Sequence, residues 1–211
     1  MDTFLFIVEL LGTVAFAISG AITAVEKGMD LFGVAVLGIT TATGGGILRD
    51  LILGSTPPVA FRDPVYLLVA AGVSLLFFLP WPRRRLRGRH YERALLFSDA
   101  VGLAVFTVAG VCGAYRQDPQ RSFVLLLFVG CVTGVGGGAL RDIFAGDTPY
   151  IFVKNIYAVA SLAGGALCAL LLPRAGKVAA IAAGMAAVIL LRLLAAHFDW
   201  NLPVAQTPAR R

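Results

Sequence analysis

Charge is what this chain has least of. Asp, Glu, Lys and Arg make up 14% of its 211 residues, where a soluble globular chain carries about a quarter, and that scarcity excludes an ordinary water-facing surface. Histidine and cysteine are nearly as sparse, with two and three copies, and Cys112, Cys131 and Cys168 have no metal-ligand spacing. Each falls in an apolar run and reads as a small hydrophobe. His90 and His197 stand at the ends of such runs, so a buried serine such as Ser19 lacks the base a hydrolase needs. The run Gly44 to Asp50 begins like a phosphate loop but lacks the Lys-Ser/Thr that grips phosphate and magnesium. The pair Asp50 and Asp142 offers an aspartyl dyad only weakly, since an arginine precedes each. No enzyme activity, no cofactor and no tightly bound metal are expected.

What is abundant is apolar surface. Hydrophobic residues make up 58% of the chain and mean hydropathy is +0.84, more than a domain of this length could bury in water. Apolar runs near membrane-crossing length predict seven spans, at roughly 3–25, 31–53, 64–81, 94–114, 122–145, 156–172 and 175–195. The expected fold is therefore an all-α polytopic membrane protein of seven transmembrane helices. Glu9 inside the first run, with no basic segment before it, reads as part of a retained helix rather than a signal peptide.

A net charge of +6 would suggest nucleic acid in a soluble protein. Here it reports topology, and no nucleic-acid partner is expected. Arg83, Arg84, Arg85, Arg87, Arg89 and Arg93 surround the connection between spans three and four, which the positive-inside rule assigns to the cytoplasm. The N-terminus is then outside, and the C-terminus with Arg210 and Arg211 is cytoplasmic. Membrane lipids are natural partners, and the basic loop could hold acidic headgroups.

The chain also carries nearly the same sentence twice. Gly44-Gly45-Gly46-Ile47-Leu48-Arg49-Asp50 returns 92 residues later as Gly136-Gly137-Gly138-Ala139-Leu140-Arg141-Asp142. Gly54, Thr56 and Pro57 recur as Gly146, Thr148 and Pro149, and Arg62 is echoed by Lys154. A looser match runs ahead of it, with Glu9, Gly12, Phe16 and Gly20 followed by Asp99, Gly102, Phe106 and Gly110. Three spans separate the copies, and an odd number forces the second to cross from the opposite side. The repeats are inverted, an arrangement characteristic of transport proteins that brings equivalent segments together near the bilayer centre. The chain divides into a first three-helix repeat at 1–82, a basic cytoplasmic loop at 83–93, a second, inverted repeat at 94–173, and a seventh helix with a tail at 174–211. That last helix has no counterpart and is expected at the periphery.

The glycine triplets sit near the middle of spans two and five, although glycine costs about 1 kcal/mol against alanine inside a helix. Two readings are open. The helices bend or break there beside a wet path, or the glycines let helices pack closely. Thr40, Thr41 and Thr43 in one copy and Thr133 in the other offer oxygen ligands to a dehydrated cation. They also commonly bond back to their own helix. Arg49 and Asp50, with Arg141 and Asp142, lie about 10 Å past the span centres and read as paired charges lining vestibules. Glu9 and Asp99 are candidates for the mouths of a pathway, or for interfacial carboxylates near helix N-termini.

The paired GGGxLRDxxxGxTP elements, two three-span repeats and an extra seventh span resemble the prokaryotic members of the trimeric intracellular cation (TRIC) channel family, also labelled a paired glycine-transporter domain. The resemblance implies a homotrimer in the bacterial or archaeal inner membrane. Each protomer would hold its own pore, permeable to potassium and other monovalent cations and formed by kinked spans two and five. Gly44, Gly45, Gly46, Gly136, Gly137 and Gly138 would be the kinks, and Thr41, Thr43 and Thr133 the neighbouring pore oxygens. Animal members bear a lysine-containing signature for phosphoinositides, and the matching motif here reads Leu-Arg-Asp. The alternative function is a secondary carrier of a small amino acid such as glycine, with Arg49 or Arg141 holding its carboxylate.

Overall fold

The computed structural model describes residues 3–79, 89–153 and 156–200, without the side chains of residues 89 and 90. Most arginines of the basic loop, Lys154 and the tail arginines lie outside it. Among the described residues there is no strand. The helices are α1 (Thr3–Glu26), α2 (Leu31–Ile52), α3 (Val59–Arg62), α4 (Val65–Phe78), α5 (Arg89–Gln117), α6 (Phe123–Phe144), α7 (Tyr150–Val153), α8 (Tyr157–Ala175) and α9 (Lys177–His197). Six are long and apolar enough to cross a membrane, and α4 is a shorter apolar helix. These account for the seven expected spans, and the protein is a multi-pass membrane protein. The four-residue helices α3 and α7, one after each motif, were not anticipated.

The two copies are punctuated alike. Asp30 caps α2 by accepting from the Gly33 N–H at 2.7 Å, and Ser122 caps α6 by accepting from Leu125 at 3.2 Å, so two otherwise unpaired helix-start donors are satisfied. Both helices stop where glycine supplies a left-handed residue, Gly54 at φ +72° and Gly146 at φ +74°.

The core is built around the repeat relationship. Of the six long helices, α1 and α5 are the most enclosed and α8 and α9 the least. Phe16 of α1 and Phe106 of α5, equivalent residues, stack with ring centroids 5.3 Å apart. Each ring lies against the other repeat's glycine: Phe16 fills the space beside Gly102, and Phe106 lies 3.2 Å from where a Cβ on Gly12 would stand. Gly20 and Gly110 do the same for hydroxyls, since a Cβ at either would fall 2.5 Å from Oγ1 of Thr41 or Thr133. The looser match preceding the motif is thus a set of paired packing sites.

The glycine triplets serve contact between α2 and α6. Both helices run on as α-helix through them, so the break considered from the sequence is absent. A Cβ on Gly45 would lie 3.1 Å from the Thr133 carbonyl carbon and 3.3 Å from the Gly137 amide nitrogen. On Gly137 it would run into the Thr41 carbonyl, and on Gly136 it would sit 3.2 Å from Gly45 Cα. Only glycine lets the two backbones approach this closely.

Helix α9, expected at the periphery, is among the least enclosed of the long helices but is tied into the core. It packs on α8 and α5, where a Cβ on Gly184 would meet Val108 at 2.8 Å and Cys168 at 2.9 Å. It also buries Arg192, which is 1% exposed.

Candidate functional site

Each motif arginine is buried and ion-paired. Arg49 Nε donates to Asp50 Oδ1 at 2.8 Å and its Nη1 to Glu9 Oε1 at 2.9 Å. Tyr66 donates its hydroxyl to the other Glu9 oxygen at 2.9 Å. The second copy repeats the plan: Arg141 Nε donates to Asp142 Oδ1 at 2.8 Å, Nη1 donates to Asp99 Oδ1 at 2.7 Å, and the Tyr157 hydroxyl reaches Asp99 at 3.2 Å. A charge at this depth costs several kcal/mol alone, so close opposite charges and hydrogen bonds are what make burial tolerable. These side chains turn into the protein, and Glu9 and Asp99 are buried with them.

The motif aspartates have a second task. Asp50 Oδ2 accepts from the Val59 N–H at 2.7 Å, and Asp142 Oδ2 from the Tyr150 N–H at 2.9 Å. Each carboxylate therefore anchors the first residue of the short helix that follows its own motif, tying α3 to α2 and α7 to α6. The two aspartates sit in separate clusters, each held by its own arginine. Burial pushes the Tyr150 phenol above its ordinary range, with Arg141 opposing, and its ring lies 5.2 Å from the Arg141 guanidinium carbon.

A cavity opens at each cluster. The first, of about 30 Å³, is lined by Glu9, Thr13, Thr43, Arg49, Asp50 and Tyr66 among others. The second, of about 700 Å³, is bordered by Glu26, Glu92, Asp142, Asp147, Arg192 and Asp199 among others. The rims are cross-tied by equivalent residues. Lys27 Nζ lies 2.5 Å from Asp147 Oδ1, and Gln117 donates to Ser55 Oγ at 2.6 Å, so one tie is ionic and the other neutral.

The comparisons with known proteins agree with this architecture. A family described as "Glycine transporter" matches residues 6–82 and 96–173, one stretch per repeat. The UPF0126 membrane protein of Deinococcus radiodurans is 39% identical over 202 residues, covering 95% of this chain and 91% of that protein. The inner membrane protein YadS of Escherichia coli K12 is 38% identical over 92% of this chain and 93% of its own length. Among solved structures, a prokaryotic TRIC channel crystallised in 0.5 M KCl superposes with a TM-score of 0.88 at 31% identity, over 96% of this chain and all of that one. The chain belongs to the TRIC family. The TRIC orthologue of Rhodobacter sphaeroides gives a TM-score of 0.86 at 34% identity, over 94% of this chain and 100% of that one.

Against this TRIC-family frame the residues singled out from the sequence fall into three groups. Arg49, Asp50, Arg141 and Asp142 come together with Glu9 and Asp99 as buried clusters. Gly44, Gly45, Gly136 and Gly137 line the α2–α6 crossing, where Leu140 lies 2.5 Å from a Cβ on Gly44 and Leu48 lies 3.0 Å from one on Gly136, whereas Gly46 lines the first cavity and Gly138 faces Tyr157 and Asp99 of the second cluster. The threonines divide. All three donate to carbonyls one turn back, Thr41 to Leu37 at 2.6 Å, Thr43 to Ile39 at 2.8 Å and Thr133 to Val129 at 2.5 Å, but Thr43 lines the first cavity whereas Thr41 and Thr133 pack against α1 and α5. Sequence reading missed Tyr66, Tyr157 and Arg192, and considered Ser19 only as a nucleophile, whereas it accepts a hydrogen bond from Arg141. Only the repeat offset between the two tyrosines could have pointed to the first pair.

Proposed function

We propose that this protein is a homotrimeric, potassium-permeable monovalent cation channel of the prokaryotic inner membrane, with one pore per protomer between α2 and α6. What carries the reading is the placement of two cavities, each floored by a buried charge cluster, beside one glycine-only helix crossing. Carboxylates outnumber cations along both linings, which favours cations over anions. The likeness to proteins described as TRIC cation channels supports the same reading. In the conducting state α2 and α6 bend apart at their triplets, joining the cavities past Thr43. The basic loop sets the N-terminus outside and the C-terminus in the cytoplasm.

Paired flux in proteoliposomes tests this. Potassium is followed down a clamped gradient, and labelled glycine uptake is read in the same preparation, because the matching family description names glycine transport. Fast potassium movement without glycine accumulation is expected. Saturable glycine uptake with no potassium conductance would make the protein a carrier.

A further inference from the structure

We infer that Arg192 sets a difference in cation access between the two mouths of the pathway and makes single-pore current rectify. This rests on the channel reading above. The repeats place two carboxylates and one guanidinium in the first cluster, Glu9, Asp50 and Arg49. The second has two of each, because Arg192 of α9 joins Asp99, Asp142 and Arg141. Helix α9 has no counterpart in the first repeat, and among the described residues no second guanidinium lines the first cavity.

The position of Arg192 is a built one. Its Nη2 lies 3.8 Å from Asp99 Oδ2, beyond hydrogen-bond length, so their contact is electrostatic. Its guanidinium carbon sits 4.7 Å from the centre of the Tyr157 ring, a cation–π geometry that fixes the charge in place. The residue is 1% exposed yet borders the second cavity together with Asp142. The cavity therefore has carboxylates at its rim, at Glu26, Glu92 and Asp199, and a fixed positive charge deeper in. A cation coming from this side is concentrated at the rim and then opposed near Arg192. One coming from the other side meets the net-negative Glu9–Arg49–Asp50 cluster.

A unit charge about 4 Å from a wet path shifts the local cation population by ~5-fold, and salt screens that shift, the Debye length falling from about 10 Å at 0.1 M to about 3 Å at 1 M. Planar-bilayer recording of wild type, R192Q and R192K in symmetric KCl reads it as the ratio of currents at opposite voltages. The expected result is rectification in wild type and R192K at 0.1 M, a several-fold smaller ratio in R192Q, and convergence of all three at 1 M. An unchanged ratio in R192Q, or a loss in R192K as large as in R192Q, overturns the inference and leaves the channel standing. If R192Q does not reach the membrane, wild-type rectification at the two salt concentrations decides: a ratio independent of salt refutes a charge effect. A wild type that passes no cation at all refutes the channel reading, and this inference with it.

Discussion

Gly45 of α2 and Gly137 of α6, equivalent residues of inverted repeats, face each other with no room for a side chain on either. The atoms they would strike are backbone, which cannot rotate away. Gly45→Ala and Gly137→Ala each force α2 and α6 apart, at about 1–3 kcal/mol by the cost of overpacking, and are expected to lower the melting temperature of the detergent-solubilised protein and to alter potassium flux. Gly72→Ala is the control. A Cβ there meets nothing within 4 Å on α4, so the substitution should not lower the melting temperature, alanine being the better helix former by about 1 kcal/mol, and should leave flux unchanged.

The clusters differ in how much they lose with one carboxylate. Asp99 is fully buried and shared by two guanidiniums, so Asp99→Asn strands positive charge and should cost about 3–5 kcal/mol. Glu9→Gln leaves Arg49 paired with Asp50 beside a cavity, so its thermal melt should fall clearly less. Equal losses would show that Arg192 adds nothing to the burden on Asp99.

The two classes of threonine separate by substitution. Thr43→Val removes a hydroxyl from a cavity wall and is expected to reduce potassium flux several-fold. Thr41→Val removes only a bond to its own helix and should change flux little. A larger effect at Thr41 would move the pathway to the α1 side of α2.

The Lys27–Asp147 tie joins the end of α1 to the tail of the other repeat's motif. Both partners are more than a third exposed, so Asp147→Ala should cost under about 1 kcal/mol in a thermal melt. A disulfide between Lys27→Cys and Asp147→Cys would fix the two repeats against each other. Oxidation is expected to lower flux and dithiothreitol to restore it; flux indifferent to oxidation would place the opening motion elsewhere.

Much of the architecture was legible because lipid simplifies the code. Spans must be apolar for their whole length, and a repeat of 92 residues across an odd number of crossings admits only an inverted pair. The glycine triplets were visible too, but their use was not. A triplet suits a bend and a backbone contact equally, and only the position of α6 against α2 showed which contact Gly45 and Gly137 make. Thr41 and Thr43 lie two residues apart on one helix, so their faces diverge, and the neighbours that decide which hydroxyl meets a cavity lie elsewhere in the chain.

The sequence by itself determined the helical membrane class, the duplication and the residues that bear charge, since these follow from composition, period and spacing along the chain. Tertiary structure alone decided the partners: Glu9 with Arg49 across 40 residues, Asp99 with Arg141 across 42, and Arg192 with the second cluster only. Ion pairing at membrane depth depends on distances of a few ångströms between helices, and nothing in the spacing along one helix encodes how it is rotated against another.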